Sequence, residues 1–324
     1  MRRRDFITLL SSAALAWCTK SYAQTPDKVH RAAVISPTAT AIENWRREMI
    51  PELAGLGFTE GRNLVVTYHI GLPIRMPELA REALAARPDV VVATSDIAIR
   101  EISAASSSVP IVMAFGGRDP VALGLAQSLG RPGGNVTGVW MRSHDLDRKR
   151  LLLLHEATPM ARRIAVLAGR PPMHVEMFKE IRQTASELGL DARAFLADGP
   201  ADYASAFAEM RAAHVEALAI PSSPVFFRDA AILSQLALEA RLPTVCEWAS
   251  MARDGCLIGY GPSRLGLVRR VTDYIARILR GTAPGELPIE QPTKFEVGVN
   301  LRTAKVLGLS VPPTLIALAD EVIE

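Results

Sequence analysis

The sequence lacks the residue patterns that metal, nucleophilic or nucleotide chemistry requires. Its six histidines show no HxxxH or HExxH spacing for a metal ion, and there is no G-x-S-x-G elbow for a nucleophilic serine. The glycine turn RPGGNVTG at 131–138 is without the lysine of a phosphate-binding loop, and FGGRDP at 115–120 is without the third glycine of a dinucleotide loop. We therefore expect no catalytic site, no metal site and no cofactor.

Long apolar runs are missing after the first residues of the chain, which have the three regions of an export signal. MRRRDF is basic, ITLLSSAALAW is apolar but too short for a transmembrane helix, and SYA predicts cleavage after Ala23. Arg3, Arg4 and Phe6 fit the twin-arginine pattern, and an ordinary Sec signal is the alternative. We expect a periplasmic protein with a signal peptide at 1–23.

The mature chain has no excess of basic residues and few cysteines. The leader contains four basic residues and one acidic residue, so its removal lowers the formal net charge from +3 to 0. Without a basic excess there is no electrostatic basis for binding nucleic acid. The mature chain keeps Cys246 and Cys256, which can form a disulfide in an oxidising compartment or remain two small buried residues.

From residue 31 onward, strand-like and helix-like segments alternate, and the pattern occurs twice. RAAVISP at 31–37 and RIAVLAG at 163–169 are each followed by a helical pattern that ends in Leu-Gly, at 56–57 and at 188–189, an offset of 132 residues in both cases. Each unit has the order βαβαβαβ, which predicts a parallel α/β sheet.

We therefore predict two similar doubly wound parallel-sheet lobes joined by a hinge. The N-terminal lobe is expected at 29–142 plus 261–284, and the C-terminal lobe at 143–260 plus 285–324. The Pro- and Gly-rich stretch at 281–292 indicates a crossing between them. Residues that follow the strands should face one crevice, and two hinged lobes can close around a ligand.

Hydroxyl and aromatic residues recur where the predicted strands end. The hydroxyl residues are Ser36, Thr38, Thr94, Ser95, Ser222 and Ser223, and the aromatic residues are Phe115, Trp248 and Tyr260. The hydroxyls can cap helices, or can join helix N-termini in binding a carboxylate. The aromatic rings can complete the edge of the core or stack on a ligand. Phe115 and Trp248 are equivalent in the repeat, which predicts that they sandwich a ligand group.

Two acidic residues near the same strand ends could hold a ligand ammonium group. Asp119 can equally cap a helix predicted to start at Pro120, which makes Glu247 the better candidate. Arg118 and Arg170 could pair with a ligand carboxylate or remain solvated.

Several segments together resemble a known family. They are the leader MRRRDFITLL, GFTEGRNLVVTY, PDVVVAT, VPIVMAFGGRDPVALGLAQSLGRPGGNVTGV, GYGP and FEVGVNLRTAKVLGLSVPPTL. The chain is similar over nearly its whole length to the periplasmic substrate-binding proteins of ABC transporters, a family with tryptophan- and tyrosine-binding members. The resemblance implies a type I periplasmic-binding fold, no catalysis, and delivery of a solute to a membrane permease. The family's pocket segments fall on Ser36, Thr94, Phe115, Asp119, Ser222 and Glu247.

Two functional hypotheses follow from these patterns. The first is the solute-binding component of an ABC importer, expected to be a monomer that captures an amino acid, aromatic ones included, or a related carboxylate. The second is an exported α/β enzyme such as an isomerase, with Asp119 and Glu247 as its acid and base. Pro37-Thr38 and Glu247-Trp248 depart from the common family pattern and leave the identity of the solute open.

Overall fold

The computed structural model describes residues 28–169 and 175–324, which form two α/β lobes. The predicted leader at 1–23 and Arg170 lie outside the described residues. No helix in the described ranges is long and apolar enough to cross a lipid bilayer.

The first lobe contains a five-stranded parallel sheet. Its strands are β1 (His30–Ser36), β2 (Leu64–Ile70), β3 (Val90–Ala93), β4 (Ile111–Gly116) and β5 (Val136–Trp140). They lie in the order β2-β1-β3-β4-β5, so each new strand is added by a crossover connection. The inner strands β1, β3 and β4 are almost continuously buried because helices cover both faces of the sheet.

Four helices provide this cover. They are α1 (Ala39–Gly55), α2 (Met76–Ala85), α3 (Asp96–Ala105) and α9 (Arg264–Leu279). Met49 of α1 and Val271 of α9 belong to one buried cluster with Val34, whereas Met76 of α2 and Ile102 of α3 belong to the cluster on the opposite face. The helix α9 comes late in the chain and yet packs on α1, β4 and β5.

The second lobe contains a seven-stranded sheet in the order β12-β11-β10-β9-β8-β6-β7. Its strands are β6 (Arg163–Ala168), β7 (Asp191–Leu196), β8 (Ala217–Ile220), β9 (Thr244–Cys246), β10 (Ile258–Pro262), β11 (Phe295–Asn300) and β12 (Glu321–Ile323). Only the β10 and β11 pair is antiparallel among the described strand pairs. Parallel pairing elsewhere again requires helices on both faces.

The helices of the second lobe follow the same rule. They are α4 (Ser143–Ala157), α5 (Val175–Glu187), α6 (Pro200–Ala212), α7 (Pro224–Arg228), α8 (Ala230–Glu239), α10 (Leu301–Leu307) and α11 (Pro313–Leu318). One face of the sheet packs on α4, α5, α10 and α11. The other face, with α6, α7 and α8, belongs to the same buried cluster as α1 and α9 of the first lobe. One apolar cluster therefore continues from lobe to lobe.

The repeat seen in the sequence is present in three dimensions. The first strands of the two units begin at His30 and Arg163, and both Leu-Gly helix ends have a left-handed glycine, Gly57 at φ 95° and Gly189 at φ 71°. The fold prediction of two doubly wound lobes is confirmed.

Three local predictions differ from the structure. The helix expected from Pro120 is wrong, because residues 120–124 form turns that end at Gly124, which has φ 70°. Tyr260 lies in the middle of β10 and not at a strand end, because antiparallel pairing with β11 extends that strand. The short strand β12 follows the terminal helices and was not predicted.

The last connection between the lobes can be located from hydrogen bonds. Residues 285–290 bond to the first lobe: Thr137 Oγ1 donates to the Leu287 carbonyl at 2.8 Å and the Trp140 amide to the Glu290 carbonyl at 2.9 Å. The hydrogen bonds therefore place the last crossing after Glu290. The predicted lobe boundaries themselves stay predictions.

Candidate functional site

A cleft of about 890 Å³ lies between the lobes at the carboxyl ends of the strands. Its walls are mostly apolar and come from both lobes. Of the residues predicted from the sequence, the cleft is lined by Thr94, Ser95, Phe115, Ser222, Ser223, Glu247 and Trp248. The strand-end rule thus correctly placed these residues around one cavity. Their role in binding stays a prediction.

Four other predicted residues do not line the cleft. Ser36 and Thr38 are buried, and the Ser36 hydroxyl bonds to the backbone of Thr38. Asp119 Oδ1 accepts from the Val121 amide at 2.8 Å and caps the local turn. Tyr260 stacks on Phe295 with ring centroids 6.0 Å apart. The side chains of Ser36, Asp119 and Tyr260 therefore stabilise local structure, which sequence position alone did not reveal.

Three hydroxyl residues of the cleft act as caps or bond to backbone. Ser95 Oγ accepts from the Ala98 amide at 3.3 Å, and Ser223 Oγ accepts from the Val225 amide at 3.3 Å. Thr94 Oγ1 donates to the Ile35 carbonyl at 3.1 Å. Their hydroxyls hold the starts of α3 and α7 in place.

The aromatic residues meet at one corner of the cleft. The rings of Phe115 and Trp248 contact edge to face at 6.0 Å and 84°, and Phe227 packs on the other side of Trp248 at 6.2 Å. The predicted sandwich is not present, because the two rings contact each other directly. A ligand ring in this conformation would lie beside them.

Glu247 is buried, with 3% of its surface exposed. Ser222 Oγ donates to Glu247 Oε1, and the Ser223 amide also donates to the carboxylate. Burial raises the pKa of the Glu247 carboxyl, and the nearby Arg150 charge and the Ser222 hydrogen bond offset part of that rise. A buried carboxyl group with a raised pKa at a cleft is a typical feature of a binding site.

Arg150 holds this part of the cleft together, and the sequence analysis missed it. It is 2% exposed on α4. Its guanidinium donates to the carbonyls of Tyr260, Glu247 and Ser143 at 2.9, 3.1 and 3.4 Å, and to Asp147 Oδ1 at 2.7 Å. The side chain thus ties the end of β9 and the middle of β10 to the start of α4. No local sequence signal marks this role, because Glu247 and Tyr260 are distant from Arg150 in the chain.

A second polar group lies on the wall formed by the first lobe. Asp96 Oδ1 accepts from the amides of Gly117 and Arg118 at 2.9 and 3.3 Å. A Cβ on Gly117 would lie 3.2 Å from Asp96 Oδ2 and 3.4 Å from Ser143 Oγ, so these side chains meet over one glycine. The Ser143 hydroxyl is buried and has no hydrogen-bond partner among the described residues. In the sequence, only the position of Asp96 directly after the predicted strand-end residues Thr94 and Ser95 could have indicated that it lies at the cleft.

The segment that contains Glu247 and Trp248 packs closely on two glycines of the neighbouring strand β10. A Cβ on Gly259 would lie 2.1 Å from the Trp248 carbonyl oxygen, and one on Gly261 would lie 2.2 Å from that of Glu247. Cys246 and Cys256 form a disulfide that closes the loop containing both residues. The backbone that presents these two side chains is therefore fixed by close packing and by a covalent bond.

The comparisons with known proteins agree with this architecture. The model of the family described as ABC transporter substrate binding protein matches residues 40–323. A tyrosine-binding protein of Clostridioides difficile is 21% identical over 273 residues, which are 83% of this chain and 78% of that protein.

Two solved structures are similar along most of the chain. A conserved domain protein of Vibrio cholerae has a TM-score of 0.82 at 23% identity and covers 91% of this chain and 99% of its own. An ABC domain from Streptococcus pneumonia in complex with L-Trp has a TM-score of 0.80 at 20% identity and covers 91% and 100%. These likenesses support the two-lobe fold.

Proposed function

The chain belongs to the ABC transporter substrate-binding protein family, and from this premise we propose that it is the periplasmic component of an importer that captures a small solute between its lobes. The family as a whole binds solutes and is not a family of enzymes. A membrane permease would receive the solute, and the N-terminal leader would direct export of the protein.

The observation that carries this proposal is the cleft itself. It lies between two sheets, at the carboxyl ends of the strands of both, and its volume is within the range of small-molecule sites, about 300–1,000 Å³. Its walls are mainly apolar with a few buried polar groups, as is typical of a pocket that orients a ligand. Among the described residues, no cluster of His, Cys, Asp or Glu could hold a metal ion.

We propose an amino acid or a related compound with an aromatic or apolar body as the solute. The aromatic corner formed by Phe115, Trp248 and Phe227 offers a surface on which a ring could pack. The tyrosine-binding relative and the neighbour in complex with L-Trp support the same class. Glu247 is our candidate for contact with an ammonium group.

The test is the melting temperature of residues 24–324 with a panel of amino acids, aromatic carboxylates, purines and short peptides. A solute present at about 100 times its Kd adds about 2.7 kcal/mol to the free energy of unfolding. We expect the largest shift with an aromatic amino acid or a close analogue, and we expect Trp248→Ala to reduce it.

The matched control is Phe295→Ala, which removes an aromatic ring that stacks on Tyr260 outside the cleft. It should leave the shift unchanged. A panel without any shift would contradict the proposed function, and chemical turnover of a bound compound would favour an enzyme instead.

A further inference from the structure

Two helix starts at the cleft, those of α3 and α7, already have a carboxylate of the protein beside them. Asp96 lies in the first turn of α3, where its charge complements the helix dipole, and it also accepts the amides of Gly117 and Arg118. Glu247 accepts the Ser223 amide and the Ser222 hydroxyl at the start of α7. A solute carboxylate would have to compete with these internal anions for the same donors.

Among the residues that the structure describes, several cations close to the cleft are paired with other groups. Arg150 uses four of its five N–H donors on three backbone carbonyls and Asp147. Arg100 pairs with Glu101 at 2.7 Å. Arg264 Nε donates to Glu48 Oε1 at 3.2 Å, whereas Arg264 Nη2 lies 2.9 Å from Glu48 Oε2 without forming a hydrogen bond. Arg118 is exposed, so a contact from it with a solute carboxylate would be screened by solvent.

The Ser143 hydroxyl points to a missing ligand group. It lines the cleft, is 3% exposed and has no hydrogen-bond partner among the described residues. Buried hydroxyls are normally hydrogen-bonded, because an unsatisfied one costs about 1–3 kcal/mol. It lies beside Asp96 across Gly117, and its own carbonyl is linked through Arg150 to the carbonyl of Glu247.

We propose that the cleft recognises a cationic amine with an apolar or aromatic body, through Glu247, Ser143 and Asp96, and that it does not require a carboxylate on the solute. The ammonium group donates hydrogen bonds to the Glu247 carboxylate and the Ser143 hydroxyl, and the Asp96 charge attracts it from the opposite lobe. This inference rests on the proposed function and specifies its solute class.

The test compares three matched probes by isothermal titration calorimetry: L-tryptophan, tryptamine, which lacks the carboxylate, and 3-indolepropionate, which lacks the ammonium. We expect the Kd of tryptamine to be equal to or lower than that of tryptophan, and the Kd of 3-indolepropionate to be higher by about 100-fold, since a hydrogen bond to a charged group contributes about 1.5–3 kcal/mol.

Failure of tryptamine to bind, or binding of 3-indolepropionate as tightly as tryptamine, would overturn the inference. The proposed function would survive that result if any compound of the larger panel stabilised the protein. It would fail separately if no compound did.

Two variants assign the effect to residues. Glu247→Gln keeps an acceptor for the Ser222 hydroxyl but removes the charge, and we expect about 10- to 100-fold weaker tryptamine binding with no loss for 3-indolepropionate. Glu60→Gln makes the same change outside the cleft, at a carboxylate paired with Arg46, and it should change the Kd by less than about threefold. Equal effects of the two would overturn the assignment.

A pH series on the unmodified protein also tests whether the Glu247 carboxylate binds tryptamine. The charged groups that face Glu247 are Arg150 and Asp147, both on α4. Because burial raises the pKa of Glu247, tryptamine affinity should fall as the pH is lowered through that pKa, and tryptamine binding should release protons there. An affinity for tryptamine that increased at low pH would contradict the inference.

Discussion

Glu247 shows at the scale of one residue how a binding site is maintained at a cost to stability. Its carboxyl group is buried, and the Arg150 guanidinium donates to its backbone carbonyl while the carboxylate takes hydrogen bonds from Ser222 and Ser223. These contacts reduce the penalty of burial without removing it, since the pKa remains raised.

The sign of this pKa shift gives a prediction for stability. The pKa of Glu247 is higher in the folded protein than in the unfolded chain, so the carboxyl group ionises more easily in the unfolded chain. The free energy of unfolding should therefore fall as the pH rises from the ordinary pKa of Glu through the raised pKa. The side chain in Glu247→Gln cannot ionise. The free energy of unfolding of the variant, relative to that of the natural protein, should therefore be higher at pH 8 than at pH 4. Urea unfolding at both pH values measures this difference. A difference that does not change with pH would contradict it.

Arg150 gives a second prediction at this scale. In Arg150→Met, three buried carbonyls and Asp147 lose their donor, and removal of one partner of a buried ion pair costs about 3–5 kcal/mol. The free energy of unfolding should fall by that amount in urea titrations. Arg193→Met is the control, because Arg193 forms an exposed pair with Asp191 and its loss should cost less than about 1 kcal/mol. Similar losses in both variants would contradict the role of Arg150.

At the scale of elements, the loop after β9 depends on the strands beneath it. The carbonyls of Glu247 and Trp248 lie over Gly261 and Gly259 of β10, and that of Ala249 lies over Gly298 of β11. Only glycine leaves room for this approach, so the identity of three residues on the sheet fixes the position of two residues in the cleft.

Replacing one of these glycines tests the dependence. In Gly259→Ala the new Cβ would lie 2.1 Å from the Trp248 carbonyl oxygen, so the loop must move, and we expect a loss of about 1–3 kcal/mol in the free energy of unfolding together with weaker solute binding. Gly55→Ala is the control, because a Cβ there meets no atom within 4 Å. It lies at the end of α1, where alanine should be neutral or stabilising. A stable Gly259→Ala with unchanged binding would contradict this account.

At the scale of the whole molecule, the lobes contact each other across the mouth of the cleft. Phe115 of the first lobe meets Trp248 of the second, and Arg264 lies over the Phe227 ring at 5.2 Å. We propose that these contacts separate when a solute enters, by rotation at the connections between the lobes.

Small-angle scattering can detect this rotation. We expect the solute-saturated protein to give a scattering curve that agrees with this structure. The protein without solute should give a larger radius of gyration, because no ligand then holds the two walls of the cleft together. Identical curves with and without a saturating solute would contradict hinge closure.

Much of the site was predictable, and the limits of the prediction are physical. Thr94, Phe115, Ser222 and Glu247 follow predicted strands, and the carboxyl ends of parallel strands converge. Tyr260 failed this rule because antiparallel pairing extends its strand, and Asp119 failed because its carboxylate caps a turn.

The alternation of apolar strands and amphipathic helices determined the two lobes by itself, because periodicity and glycine helix ends are local properties of the chain. Only the tertiary structure decided which side chains share the cleft. Arg150 reaches Glu247 and Tyr260 across 97 and 110 residues, and the unpartnered Ser143 hydroxyl is recognisable only once its surroundings are known. Such contacts depend on strand register and on how the lobes meet, and no local pattern in the sequence contains that information.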